Sequence, residues 1–534
     1  MPDLSLNFKI QYFYKKNMRL LFTSFICLLS LLSSAQNKYW VYLTDKDTTG
    51  YDPLEFFDSK AIERRVVNEI PVWDYSDIPV NQQYVAVLAQ MTDSVRYSSR
   101  WFNAVCLYAT DNQIDNIRTL SFVKKIEPAG NGHFVAAEDS PTTVIYGGAP
   151  GLQGKQLSLM GTEIFREAGI TGKGIRVAIF DGGFPNVDVL PCFKHVRDNN
   201  RIIKTWDFTR NKENVYGFSS HGTTVMCCIA GIDTAGDPFG MATDAEFLLA
   251  RTEVNAEPFS EEENWVAALE WADQNGADVV NSSLGYTFHR YFPYEMDGQT
   301  SFVTRGANMA ASKGILVVNA AGNEGDGDWK YIGAPADADS ILSVGGVDPY
   351  SGYHINFSSF GPTADGRLKP NVCAAGQVYA YGKKGTGVHY GTSFASPLTA
   401  GFAACAMQAK PGVKAYDMFL EIQKSGHLYP YYDYAHGYGI PQASYFMNIE
   451  VESLADIDIL LADTSVIVSV VKDPTDSTEN NYCYVHCSKP DGKLIWYKVI
   501  SVSDYEVLRM NRSDFQPGDI LRVHYSGLNE SYKF

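Results

Sequence analysis

Four short apolar runs, each closing on a polar or glycine-rich turn and set apart by helix-length segments, limit this chain more than anything else in it. They are Ile175 to Phe180, Phe247-Leu248-Leu249-Ala250, Asp278-Val279-Val280-Asn281 and Ile315-Leu316-Val317-Val318-Asn319. Strands that are apolar throughout, rather than at alternate positions, need cover on both faces, and helices between them supply it. Ser260 and Glu263 form a capping box for one such helix through Trp265, Leu269 and Trp271, closed by Gly276. Ser301 to Lys313, closed by Gly314, is a second. Residues 157–449 are therefore expected to fold as an α/β domain around a doubly wound, mainly parallel sheet. In such sheets functional groups gather at the carboxyl ends of strands, where Asp181 falls.

The chain has 534 residues, enough for two to four units. Lys15, Lys16 and Arg19 precede the apolar stretch Leu20 to Leu32, followed by Ser33-Ser34-Ala35. A charged segment, a short apolar core and small residues predict a signal peptide over 1–35, too short to span a bilayer. Tyr39 to Leu43, Ala104 to Tyr108, a polar helix over Asp111 to Leu120 and Phe122 to Ile126 predict a small α+β module over 36–135. Residues 136–156, with Ser140-Pro141 and Gly147-Gly148-Ala149-Pro150-Gly151, read as a linker. After Asn448 short strand-like runs divided by turns such as Pro490-Asp491-Gly492 predict a β-sandwich over 450–534.

The net charge of −17 leaves no basic surface for nucleic acid, and no later run is apolar for long enough to cross a membrane. Outside the signal segment eight cysteines remain, with no dense framework, no Cys-x-x-Cys pair and no clustered histidines, so buried free thiols are expected and no zinc site.

Three motifs carry the chemistry. Asp181 in Val-Ala-Ile-Phe-Asp-Gly-Gly ends a buried strand, His221 in Ser-Ser-His-Gly opens a helix, and Ser393 in Gly-Thr-Ser opens another through Leu398 and Phe402. An acid, a base and a hydroxyl are the parts that make serine an acyl-transfer nucleophile. A histidine in a first helical turn feels the positive dipole end, which disfavours its charged form and suits a general base. A serine at a helix start has free N–H groups beside it that can stabilise an oxyanion. Asn323, in the glycine-flanked turn Ala320-Ala321-Gly322-Asn323, can add its side-chain N–H2.

These motifs, in this order, resemble the subtilisin-like serine proteases, the subtilases. The resemblance extends through Gly172 to Ala178, Val280-Asn281-Ser282-Ser283-Leu284-Gly285, Phe357 to Pro362, Asp365 to Pro370 and Ala375-Gly376. It implies a serine endopeptidase with Ser393 as nucleophile, His221 as base, Asp181 as orienter and Asn323 in the oxyanion hole. It places substrate along Ser283, Leu284 and Gly285, with Ala321 and Gly322 in the primary pocket, and makes 36–135 an inhibitory propeptide that is cut away in the 136–156 linker. The partners implied are a peptide substrate and the chain's own propeptide. Subtilases often bind structural calcium through loop carboxylates, but no ligand loop is legible, and no cofactor is expected.

Gly182, Thr224, Phe394 and Leu398 depart from the family pattern. Gly182 removes a hydroxyl beside Asp181 and is the one hint toward a second reading, a catalytically silent binding protein. The C-terminal unit, with Gln516-Pro517-Gly518-Asp519-Ile520-Leu521-Arg522-Val523, resembles the sorting domains of the type IX secretion route; a structural or substrate-docking role fits it as well.

Overall fold

A computed structural model describes residues 37–130, 145–146, 149–254, 260–288, 290–382, 385–449, 455–472 and 482–534. The predicted signal segment and residues 136–144 and 147–148 of the predicted linker lie outside these. The chain divides into two compact units, one made of 37–49 with 76–130, the other of 50–75 with the chain after 132.

In the first unit, Ser94–Ser99, Ala104–Ala109, Asn37–Leu43 and Val123–Pro128 lie side by side in that order as an antiparallel sheet. Helices Gln82–Met91 and Asp111–Arg118 complete a β-α-β-β-α-β path, the split βαβ arrangement. Thr110 and Gln113 form a capping box for the second helix. Val41, Leu88, Val105, Leu107, Ile114 and Ile117 make the core. The sequence reading had one helix here, not two. The module expected at 36–135 is also interrupted: 50–75 leaves it between its first strand and first helix and joins the other unit.

The second unit is built on seven parallel strands. In chain order these are β1 (Arg176–Asp181), β2 (Ile202–Asp207), β3 (Glu246–Arg251), β4 (Val279–Ser282), β5 (Leu316–Ala320), β6 (Leu342–Val347) and β7 (Val372–Ala375). Their spatial order is β7-β6-β5-β4-β1-β3-β2, every pairing parallel. Alternate residues of β1 face opposite layers. Val177 and Ile179 join the core made with helices α2 (His221–Ala230) and α5 (Thr392–Ala409). Phe180 points the other way and meets Trp265 of α3 (Ser260–Gln274) edge-on at 5.9 Å, with α4 (Phe302–Ser312) beside α3. Ser301 caps α4 through Thr304 N, and α3 begins at Ser260 itself, after residues outside the described set.

Where a linker was expected, Pro150–Ser158 forms a helix. Its Gln156 is buried, donating to Phe239 O at 2.8 Å and accepting from Tyr379 N at 2.8 Å. Proline at a first helical position and two buried leucines, Leu152 and Leu157, explain why glycine-rich sequence folds here.

The C-terminal strands form two antiparallel sheets, one of three strands within 456–511 and one of four within 482–533, closed over Val466, Val468, Cys483, Val485, Leu521 and Val523. This sandwich is seated on the parallel-sheet body. Leu428 and Tyr431 pack against Tyr484, and the buried His486 donates from Nδ1 to Tyr432 O at 2.6 Å. All eight described cysteines are buried free thiols.

Candidate active site

The site is assembled from the carboxyl end of the sheet and the first turns of two helices. Asp181, the last residue of β1, is buried. Its Oδ2 lies 2.8 Å from His221 Nδ1, and its Oδ1 accepts from Gly182 N at 2.7 Å. A carboxylate only accepts, so Nδ1 of the neutral imidazole carries the proton and Nε2 keeps its lone pair.

The close approach of α2 to β1 depends on Gly222. A Cβ there would stand 2.4 Å from Gly183 O and 2.9 Å from Asp181 Cβ, closer than atoms pack. The absent hydroxyl at Gly182 also finds an explanation. Ser219 fills that space, its Cβ 3.0 Å from where a Gly182 Cβ would sit, and its Oγ accepts from His221 N at 3.3 Å. Arg251, at the end of neighbouring β3, donates to Gly182 O at 3.0 Å and pairs with the fully buried Asp207 at 3.0 Å. Ser219, a candidate cap in the sequence, and Arg251, which the sequence did not single out, thus hold the turn after Asp181.

Ser393 is the second residue of α5, an eighteen-residue helix whose free N–H groups and dipole point toward its start. Its Oγ is not a helix cap; it donates to Ser283 O at 3.2 Å, while Ser283 Oγ donates to Ser393 O at 2.8 Å. The next residue, Phe394, sets its ring 5.5 Å from the His221 imidazole and 5.4 Å from that of His389. Burial pushes His389 down to about 4, and its Nε2 has no hydrogen-bond partner among the described residues.

Asn323 follows β5 and faces the same turn. Its Oδ1 accepts from Thr392 N and Thr392 Oγ1, both at 2.9 Å, and this fixes which way the amide points. The Nδ2 lies 3.5 Å from where a Gly391 Cβ would be, against the residues that lead into Ser393. Thr392 was within a quoted motif but given no role.

Ser283, Leu284 and Gly285 run on from β4, with Ser283 buried, Leu284 partly so and Gly285 exposed. Ala321 is fully buried against Ile332 and Ala336, and Gly322 donates to Thr392 Oγ1 at 3.3 Å. The insertion after Tyr286 is tied to the first turn of α3: Arg290 pairs with Glu261 at 2.7 Å and Tyr291 donates to Glu262 at 2.5 Å; Tyr286 itself donates to Glu253, just after β3, at 2.9 Å. Burial, reinforced by nearby Glu261, pushes the Glu253 carboxyl well above the usual range. Among the described residues no group of three or more His, Cys, Asp or Glu is placed to hold a metal ion, and no helix is long and apolar enough to cross a membrane.

Residues 172–439 match the subtilase family model, and residues 38–142 match the peptidase S8 propeptide domain of Bacteroidota. Subtilisin DY of Bacillus licheniformis is 30% identical over 249 residues, 46% of this chain and 81% of its own length. Subtilisin E of Bacillus subtilis is 33% identical over 247 residues, which is 58% of that protein. A crystal structure of MycP1 with its N-terminal propeptide removed aligns over 56% of this chain and 97% of its own, at 22% identity and a TM-score of 0.43. The chain belongs to the subtilase family and is a serine endopeptidase that carries a propeptide domain.

Proposed function

We propose that this chain is an exported endopeptidase that cleaves peptide bonds through an acyl-enzyme on Ser393. The observation that carries this is the 2.8 Å contact between His221 Nδ1 and the buried Asp181 carboxylate, beside the N-terminal turn of α5. Ser393 turns about χ1 from Ser283 O toward His221 Nε2, gives up its proton there, and its Oγ attacks the scissile carbonyl carbon. The carbonyl oxygen takes the negative charge, met by the Ser393 N–H and Asn323 Nδ2. His221 then protonates the leaving amine, and water repeats the sequence in reverse to release the acid. Asp181 holds the imidazole and stabilises its cation throughout. Extended substrate backbone pairs along Ser283-Leu284-Gly285.

A serine-directed fluorophosphonate tests this. The parent should label rapidly on Ser393, and Ser393→Ala and His221→Ala should not; a folded parent that stays unlabelled would favour the silent binding protein. Export rests on the segment 1–35, and self-cleavage is assigned to the region 136–156. Purified Ser393→Ala that matures to the parent's N-terminus without another protease would refute self-cleavage. For the C-terminal sandwich, the buried contacts of Tyr431, Tyr484 and His486 favour a structural role over a detachable sorting signal.

A further inference from the structure

Asp181 fixes the His221 imidazole at one nitrogen only, and a ring held at a single edge can still turn about that contact. Its face is covered by Phe394, whose ring is tilted at 45° to the imidazole, with the centroids 5.5 Å apart, inside the range where aromatic rings attract. Phe394 follows Ser393 in the first turn of α5, so one side chain joins the base to the element that carries the nucleophile. A ring in that position keeps its place only if something stands behind it.

His389 stands there. Its ring centroid is 5.4 Å from that of Phe394, at 57°, and the residue is 4% exposed. It belongs to the hairpin of β8 (Gln377–Gly382) and β9 (Gly385–Tyr390), where it lies opposite Val378. The hairpin is gripped on several sides. Ile145 pairs with Val388 of β9, and Gln156 of the helix α1 (Pro150–Ser158) accepts from Tyr379 N. Tyr381 N donates to Cys227 Sγ at 3.5 Å, on α2, the helix that opens with His221. The packing therefore closes on itself: from α2 through the hairpin to His389, then by Phe394 back to the residue that starts α2.

Histidine is an odd choice for packing alone. Its ring donates to Ala380 O, while Nε2 is buried with no hydrogen-bond partner among the described residues, a loss that a wholly apolar ring would avoid. What the imidazole adds is orientation, because the bond to Ala380 O sets the plane of the ring. Burial keeps it neutral above about pH 4, so it does not oppose the cation that forms on His221. Gly382 leaves the room it needs: a Cβ there would be 2.9 Å from His389 Cε1. We propose that His389 is a positioning residue of the peptidase, which holds Phe394 against His221 and so keeps the imidazole turned toward Ser393. The proposal rests on the reading of His221 as general base and adds a residue that acts through Phe394 rather than on the reacting atoms.

Substitutions behind Phe394 test this in the matured protein, with active sites counted by the fluorophosphonate and folding checked by near-ultraviolet circular dichroism. His389→Ala opens a space there, and kcat should fall about tenfold or more with KM within about twofold of the parent. His389→Phe puts a ring back and should recover most of kcat. Gly382→Ala crowds the imidazole from outside the site and should lower kcat without raising KM. The low-field proton resonance of the His221–Asp181 contact, followed with isotope-labelled histidine, should broaden in His389→Ala and sharpen again in His389→Phe. Unchanged kcat in His389→Ala, a loss that the phenyl ring does not recover, or a rise in KM with kcat intact would overturn the proposal, the last by placing His389 against the substrate. The resonance needs no turnover, so a chain that labels on no serine would refute the enzymatic reading and still report whether His389 holds His221.

Discussion

The side-chain carbonyl of Asn323 takes two hydrogen bonds from one residue, Thr392, whose backbone N–H and hydroxyl both lie at 2.9 Å. With the oxygen held this way, the N–H2 is aimed at the turn before Ser393. Asn323→Ala should lower kcat by roughly 10²–10³ with KM little changed. Thr392→Val keeps the backbone bond and loses the hydroxyl, and kcat should fall about tenfold, well short of the Asn323 loss. If Thr392→Val raises KM and leaves kcat alone, the residue serves substrate binding instead.

Asp181→Asn should cost about 10⁴ in kcat, because an amide can donate to Nδ1 and so favour the wrong imidazole tautomer. Near- and far-ultraviolet circular dichroism should match the parent. A loss below tenfold would mean that His221 does not need this carboxylate.

Arg251 joins buried Asp207 to the carbonyl of Gly182. Arg251→Met leaves that carboxylate unpaired in the interior, and denaturant unfolding should show a loss of about 3–5 kcal/mol. A loss under about 1 kcal/mol would show that solvent reaches Asp207 readily.

Acid should loosen the fold through its buried histidines. Burial pushes His486, His524 and His354 each down to about 4. The unfolded chain binds these protons from about pH 6.5 downward while the folded chain refuses them until about pH 4, so stability is lost as pH falls through that window. Each residue contributes on the order of 3 kcal/mol across it. Thermal unfolding from pH 7 to pH 4.5 should show a steep fall in Tm, made shallower by His486→Gln. A flat profile would contradict the burial of these rings.

Truncation after residue 450 would uncover Tyr431 and Leu428, both fully buried. The shortened chain should unfold at a lower temperature than the whole, and Tyr484→Ala should cost about 3 kcal/mol. If the peptidase body melts unchanged without the sandwich, its role lies elsewhere.

Four of the seven parallel strands were legible because they form short, mainly apolar runs, while β2, with Lys204 and Thr205 inside it, and the small-residue strands β6 and β7 were not; the termini of α4 and α5 were legible because serine, glycine and threonine mark them. Asp181 and His221 stood out for the same reason: each sits where a strand or helix meets glycine. Less local features escaped. Arg64 and Asp273 form a buried ion pair that nothing in their spacing suggests, since a pair 209 residues apart leaves no periodic trace. Helix Gln82–Met91 was missed although Tyr84, Val85, Leu88 and Met91 fall at helical spacing and pack on the module's core, because Tyr84 to Ala89 is apolar without a break and shows no period by itself. The helix at 150–158 was hidden by its glycines, which read as loop until Gln156 is seen to complete backbone groups of distant segments.

The eight sulfhydryl groups of the described residues, all interior and none joined to another, bear on how this protein can be made. The architecture of the described residues relies on no disulfide, so a reducing cytosol and an oxidising exterior should yield the same fold. Dithiothreitol ought to leave its melting temperature where it was, and production would need no oxidative folding machinery.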